Sequence, residues 1–320
     1  MQMNRRDFVT SGLIGAAGLC SHPGLQIAKA DDKGDQIPVI DAHTHFYDPS
    51  RPEGVPWPSK GDALLYRTVL PAEFKRLTKP FGVTGTVIIE ASSWVEDNQW
   101  LLNLADADPF VAGIVGNLAP GEAGFDKLLA RFSRNPLYRG IRISSDAVKQ
   151  GLEKQAFLTD LRKMNEANLE LDVNGGLESL DLVDRLAKLL PDLRIAINHL
   201  ANVRINGEEP PSEWVSGLKA CATHRHVFLK VSALTEGART AEQKPPADTA
   251  FYRPILEAAW DAFGEDRLIY GSDWPVSDIA SPYKLVFQIV SEFFRDKGLT
   301  AAQKFFARNA NIAYGLRPRT

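Results

Sequence analysis

The stretch PVIDAHTHFY, residues 38–47, is a short apolar run that gives way to two histidines one residue apart. Side chains alternate between the faces of a strand, so His43 and His45 point the same way if the run is extended. Two imidazoles on one face are either a satisfied core pair or half of a metal site. What separates those readings is whether the run recurs, and where the chemistry sits along each recurrence.

It recurs seven more times. TGTVIIEAS (84–92), FVAGIVGN (110–117), YRGIRIS (138–144), LELDVNG (169–175), LRIAINHL (193–200), HVFLKVSA (226–233) and RLIYGSDW (267–274) are all short and rich in Val, Ile and Leu. Such near-continuous runs suit parallel strands buried on both faces. Most are followed by stretches of helical periodicity, among them ESLDLVDRLAKLL and FYRPILEAAWDAF. Eight alternations of strand and helix predict a single (β/α)8 barrel of TIM type over residues 31–320. A doubly wound open sheet is the alternative, but no G-x-G-x-x-G follows the first strand. The terminal AAQKFFARNANIAYGL reads as an added helix closing the barrel. Two connections are long, Phe46 to Leu70 and Thr235 to Thr249. Both leave the C-terminal ends of their strands, the face where such barrels keep their chemistry.

Composition agrees with this reading. In 320 residues, 44% are hydrophobic and 24% charged, as in a globular protein with a large core. A net charge of −3 gives no reason to expect nucleic acid as a partner. The N-terminus is set apart: Asn4-Arg5-Arg6-Asp7-Phe8, the apolar SGLIGAAGLC, and an A-x-A site at Ala28-Lys29-Ala30 follow in order. This layout predicts a signal peptide over residues 1–30, similar to a twin-arginine signal, with cleavage after Ala30. It implies the twin-arginine export machinery as a partner, a periplasmic or secreted product, and no stable membrane anchor. The mature chain would keep only Cys221 and form no internal disulfide.

Strand polarity sorts the six histidines. His22 lies in the expected signal. His43 and His45 end the first strand and His199 the sixth, all at the expected active face. His224 and His226 repeat the H-x-H spacing but precede the seventh strand, so they belong at the opposite, stability face. Asp273 stands where the eighth strand ends, between Ser272 and Trp274. Strands one and eight are neighbours in a closed barrel, so three imidazoles and a carboxylate can converge. Neutral imidazole is a common zinc ligand, and catalytic zinc takes about three protein ligands. A metal so held polarises a carbonyl, and Asp273 beside it can accept a proton from water.

The order IDAHTHFYD, GIRIS, INHLA, KVSAL and YGSDWPV resembles the amidohydrolase superfamily, in its amidohydrolase-related branch. That branch includes sugar lactonases and the 2-pyrone-4,6-dicarboxylate lactonase. The resemblance implies a lactone hydrolase acting on a small molecule, with His43, His45 and His199 as metal ligands and His199 and Asp273 as catalytic residues. It implies one divalent metal, zinc, although some lactonase relatives work without one. Two superfamily ligands are missing: the strand-four end is Gly140-Ile141-Arg142 where others carry a lysine, and strand five ends on Asn174 where others carry a histidine. This argues against a two-metal site and against the related decarboxylases of aromatic acids. Arg142 then resembles the strand-four arginine that holds a substrate carboxylate. Glu90, ending strand two, is a further candidate metal ligand or an orienter of a histidine. Trp57, Ser92, Trp94 and Asn174 are candidate substrate contacts. A barrel that binds a carbohydrate-like ligand without turnover is the reading from another class.

Overall fold

The computed structural model describes residues 37–240 and 243–317. The expected signal segment, with Arg5, Arg6, Phe8, Cys20, His22 and Ala30, lies outside the described residues. Eight strands run in sequence order around one parallel sheet: β1 (Val39–Thr44), β2 (Val83–Ile89), β3 (Val111–Gly116), β4 (Tyr138–Ser144), β5 (Glu170–Asn174), β6 (Ile195–Ile197), β7 (Val227–Val231) and β8 (Leu268–Tyr270). The ring closes where Thr44 pairs in parallel with Trp274 just beyond β8. There Asp273 N donates to His43 O and His45 N to Trp274 O, each at 2.9 Å. Consecutive strand order with closure is the (β/α)8 barrel, and it rules out the doubly wound sheet, whose order reverses at a switch point.

The core has two layers because every strand is buried on both faces. Outside, the strands pack against helices such as Gln155–Glu166, Glu178–Leu189 and Thr249–Phe263, whose apolar stripes carry Leu161, Val183 and Leu256. Inside, Ala42, Val87, Ile89, Val115, Ala196, Phe228 and Ile269 fill the barrel together with Ala310, Ala313 and Tyr314 from the C-terminal helix Asn309–Tyr314. That helix plugs the bottom. Arg139, near the start of β4, donates to Tyr314 O at 2.6 Å, and Arg194, just before β6, donates to Ala313 O at 2.7 Å.

The first of the two long connections is also held by side chains. In the first, Tyr47 and Val69 exchange backbone hydrogen bonds, and Tyr47 Oη donates to Leu65 O at 2.9 Å. Arg51 pairs with Asp97 and lies over the Trp100 ring, which ties the loop to the helix after β2. The second begins with the short helix Leu234–Ala238. No helix among the described residues is long and apolar enough to cross a membrane.

Candidate active site

Each element of the site comes from a strand's C-terminal end. A register irregularity lies in β1 between Asp41 and Thr44, directly at the histidine pair, and such kinks re-aim side chains at barrel rims. The His43 and His45 rings meet edge to face with centroids 5.1 Å apart, and the His43 and His199 centroids are 4.4 Å apart. His199 opens a left-handed turn: His199, Leu200, Ala201 and Asn202 have φ between 46° and 55°. Such a conformation costs roughly 1–2 kcal/mol per L-residue, and it is held here by Trp214 Nε1 donating to Leu200 O at 2.7 Å. Asp273 is left-handed too, with φ 63°. Strain concentrated at both positions is what a functional constraint leaves behind.

Asp273 Oδ1 is the focus. It lies 3.1 Å from His45 Nε2, 3.4 Å from His43 Nε2 and 4.0 Å from His199 Nε2. Behind it, Asp41 Oδ1 accepts from Ser272 N at 2.9 Å and His43 N at 3.2 Å, stitching β1 to the segment that carries Asp273. His45 Nδ1 faces Ile89 O at 2.9 Å and His199 Nδ1 faces Ser232 Oγ at 2.9 Å, so both rings are oriented from behind.

Burial dominates the electrostatics. It alone would push the Asp273 carboxyl up, but His199 and His45 more than offset it and the group lies below its ordinary range. Burial pulls His199 down to about 4 against the opposing pull of Asp273. Burial and then the Lys230 charge hold His43 well below the histidine range. Neutral imidazoles next to an ionised carboxylate are the protonation states a cation needs.

The fit to a metal is therefore good in composition. His43, His199 and Asp273 offer donor atoms all within 4.8 Å of one another, and His43 Nε2 is buried without a hydrogen-bond partner. This set can hold a divalent metal. Glu90 is not part of it. Its Oε1 accepts from Arg142 Nε at 2.8 Å and its Oε2 from Ser92 N at 3.0 Å, while Arg142 Nη2 donates to Glu90 O at 2.7 Å. Glu90 thus stands as the anchor of Arg142, in place of the expected metal ligand.

A cavity of about 450 Å³ opens over these groups, lined by His45, Trp57, Glu90, Ser92, Asn117, Arg142, His199, Asp273 and neighbours. Seven of the residues singled out in the sequence thus share one wall, and His43 lies beneath it. Two do not reach it. Trp94 is 39% exposed and Asn174 Oδ1 accepts from Asn202 Nδ2 at 3.2 Å outside the lining. Asn117 was missed, though it ends β3 in FVAGIVGN just as the histidines end theirs. Lys230 was missed as well, and its signal is a charge in the middle of the apolar HVFLKVSA. The second H-x-H pair stands where expected: both precede β7, and His224 Nε2 pairs with Asp184 at 2.8 Å. Cys221 is buried, donates to Leu180 O, and its thiol is pushed up to about 12 by burial.

Gly271 is required by the close approach of β8 to His43. A Cβ there would stand 2.7 Å from His43 Cβ. Gly271→Ala should cost about 1–3 kcal/mol, typical of overpacking, and lower turnover by displacing His43. A melting temperature and a rate both equal to wild type would show that the seam tolerates the methyl group.

The family model described as amidohydrolase matches residues 40–316. An L-fucono-1,5-lactonase of Burkholderia ambifaria is 31% identical over 248 residues, covering 76% of this chain and 82% of that protein. An L-fucono-1,5-lactonase of Burkholderia multivorans is 25% identical over 279 residues, covering 83% and 91%. Among solved structures, an amidohydrolase of Burkholderia multivorans with bound zinc superposes with a TM-score of 0.75 at 23% identity, over 87% of this chain and 99% of that one. With its barrel, its strand-end histidines and Asp273 all in one cavity, the chain belongs to the amidohydrolase family and is a hydrolase.

Proposed function

We propose that the protein opens a lactone, of sugar or aromatic-derived type, by water attack on the ring ester. The observation that carries this is the convergence of three imidazole Nε2 atoms on Asp273 Oδ1 at the floor of one cavity. A carboxylate held ionised there can act as a base. Asp273 takes the proton as the water oxygen bonds to the carbonyl carbon. When the ring carbon–oxygen bond breaks, the same carboxyl returns the proton to the departing oxygen, leaving a hydroxy acid. Arg142 lines the cavity with its Nε and Nη2 held by Glu90, and Nη1 has no hydrogen-bond partner among the described residues. That nitrogen is placed to receive negative charge on the carbonyl oxygen or on a carboxylate of the substrate. Trp57, whose ring lies 6.1 Å from that of His45, supplies an apolar face for a ring.

Two imidazoles and a carboxylate suit zinc among divalent cations, and bound by His43, His199 and Asp273 it would polarise the carbonyl. The size of the cavity, within the range of about 300–1,000 Å³ usual for small-molecule sites, accommodates one sugar ring with its hydroxyls. Support for the lactone comes from two of the relatives, the L-fucono-1,5-lactonases of Burkholderia ambifaria and Burkholderia multivorans. The test is a panel of sugar and pyrone lactones followed with a pH indicator. Acid release without carbon dioxide is expected for a lactonase. Carbon dioxide release from aromatic acids would replace it with a decarboxylase, and binding without turnover with a carbohydrate-binding barrel.

We also propose that the chain is exported folded, through the twin-arginine route, to the periplasm or medium. The support is the sequence of residues 1–30 alone. Replacing both Arg5 and Arg6 by Lys should retain the precursor in the cytoplasm in an active form. Secretion at the wild-type level by that double variant would remove this reading.

A further inference from the structure

The hydrolytic reading leaves Lys230 without a task. It sits in the middle of β7, wholly buried, with Nζ bonded to Asp172 Oδ2 and 5.2 Å from the Tyr314 ring centroid. Asp172 is itself held from the other side by Tyr314 Oη, which donates to its Oδ1 at 3.0 Å. The same ammonium lies 3.3 Å from His43 Nδ1.

Hydrogen-bond direction then settles which nitrogen of His43 carries the proton. An ammonium has three hydrogens and no lone pair, so the ring atom it meets must accept. A second proton on that ring would place two positive charges 3.3 Å apart in a dry interior, where little solvent screens their repulsion. His43 is therefore neutral with its one proton on Nε2, and Nε2 faces Asp273 Oδ1 at 3.4 Å. His45 is wired the opposite way. Its Nδ1 meets the Ile89 carbonyl, which can only accept, so that nitrogen is protonated. Proximity alone groups His43 with His199 and Asp273 as metal donors, yet in this tautomer His43 has no lone pair to give on the side that faces them.

We propose that Lys230 is a positioning residue that locks His43 in its Nε2–H tautomer, which puts a proton in place of a lone pair on the side facing Asp273 and His199, and so weakens the cation site that the donor set would otherwise form. His43 can join a cation only after its proton has moved to Nδ1, against the ammonium. Of that set only His199 and Asp273 then keep a lone pair toward the site, so a third protein ligand would have to be His45, whose Nε2 lies 3.1 Å from Asp273 Oδ1. Lys230 thus sets the balance between a proton-bearing and a metal-bound His43 Nε2. The consequence for turnover rests on the Asp273 base proposed above; the tautomer and the cation affinity do not.

The decisive measurement uses the full wild-type chain labelled with 15N-histidine, free of metal, in a long-range proton–nitrogen correlation spectrum. The His43 ring, assigned by its absence in His43→Gln, is expected to show a protonated Nε2 and a bare Nδ1. The reverse pattern, or a doubly protonated ring, overturns the proposal. The second measurement is zinc affinity, by competition with a chromophoric chelator. Lys230→Met combined with Asp172→Asn removes the buried pair without leaving a lone charge and should tighten zinc at least tenfold. Unchanged or weaker zinc binding by that folded double variant also overturns the proposal. If the double variant does not fold, the wild-type spectrum still decides. A His43 tautomer as expected in a protein inactive on every lactone would sink the lactonase reading alone.

Discussion

Asp273→Asn is expected to lower kcat by roughly 10²–10⁴, the usual scale for a lost acid–base group, with little change in substrate binding. The amide keeps the size of the side chain and tolerates the left-handed backbone at this position, φ 63°, as aspartate does. What it loses is the ability to take a proton from water. Arg142 and Trp57, on the other walls, are untouched. The pH profile supplies the companion check. Asp273 lies below its ordinary range and His199 near 4, so both protonations that disable the site occur in acid. The active form has Asp273 ionised and His199 neutral. In the metal-free enzyme kcat/KM should therefore fall as pH drops toward about 4. An Asp273→Asn enzyme with near-normal turnover would falsify the general-base assignment, whatever the profile.

The second large effect separates the two H-x-H pairs. His45→Ala removes the ring whose Nε2 lies 3.1 Å from Asp273 Oδ1 and whose other nitrogen is anchored on Ile89 O. Turnover should fall by roughly 10²–10³, the scale for losing one electrostatic partner of the reacting centre. Thermal stability should change little, because active-site groups are seldom optimised for stability. His226→Ala, before β7 at the other end of the barrel, should change stability by about 1 kcal/mol and leave turnover intact. Comparable activity losses from the two variants would mean that the catalytic face has been placed at the wrong end.

The barrel and the catalytic face were legible in residue order for physical reasons. A parallel strand covered on both sides must be apolar throughout, so eight Val/Ile/Leu runs stand out from the amphipathic helices between them. Polarity then follows from chain direction: whatever ends a strand faces the active mouth, and whatever begins one faces the base. That logic placed His43, His45, His199 and Asp273 together and His224 and His226 apart, and it would have found Asn117 had it been applied to β3. It could not distinguish a cavity wall from the rim around it, which is why Trp94 and Asn174 were grouped with Trp57 and Ser92.

The sequence by itself determined which elements form, their order, and the end of the barrel at which the chemistry gathers, because periodicity and chain direction are local properties. Only the tertiary structure decided how charges far apart in the chain pair inside the barrel. Glu90 meets Arg142 across 52 residues and Lys230 meets His43 across 187. Whether a buried carboxylate becomes a metal ligand or the anchor of an arginine, and which nitrogen of a histidine keeps its proton, depends on the nearest charged group in a medium with little water to screen it. That neighbour is set by closure of the ring, and no local pattern encodes it.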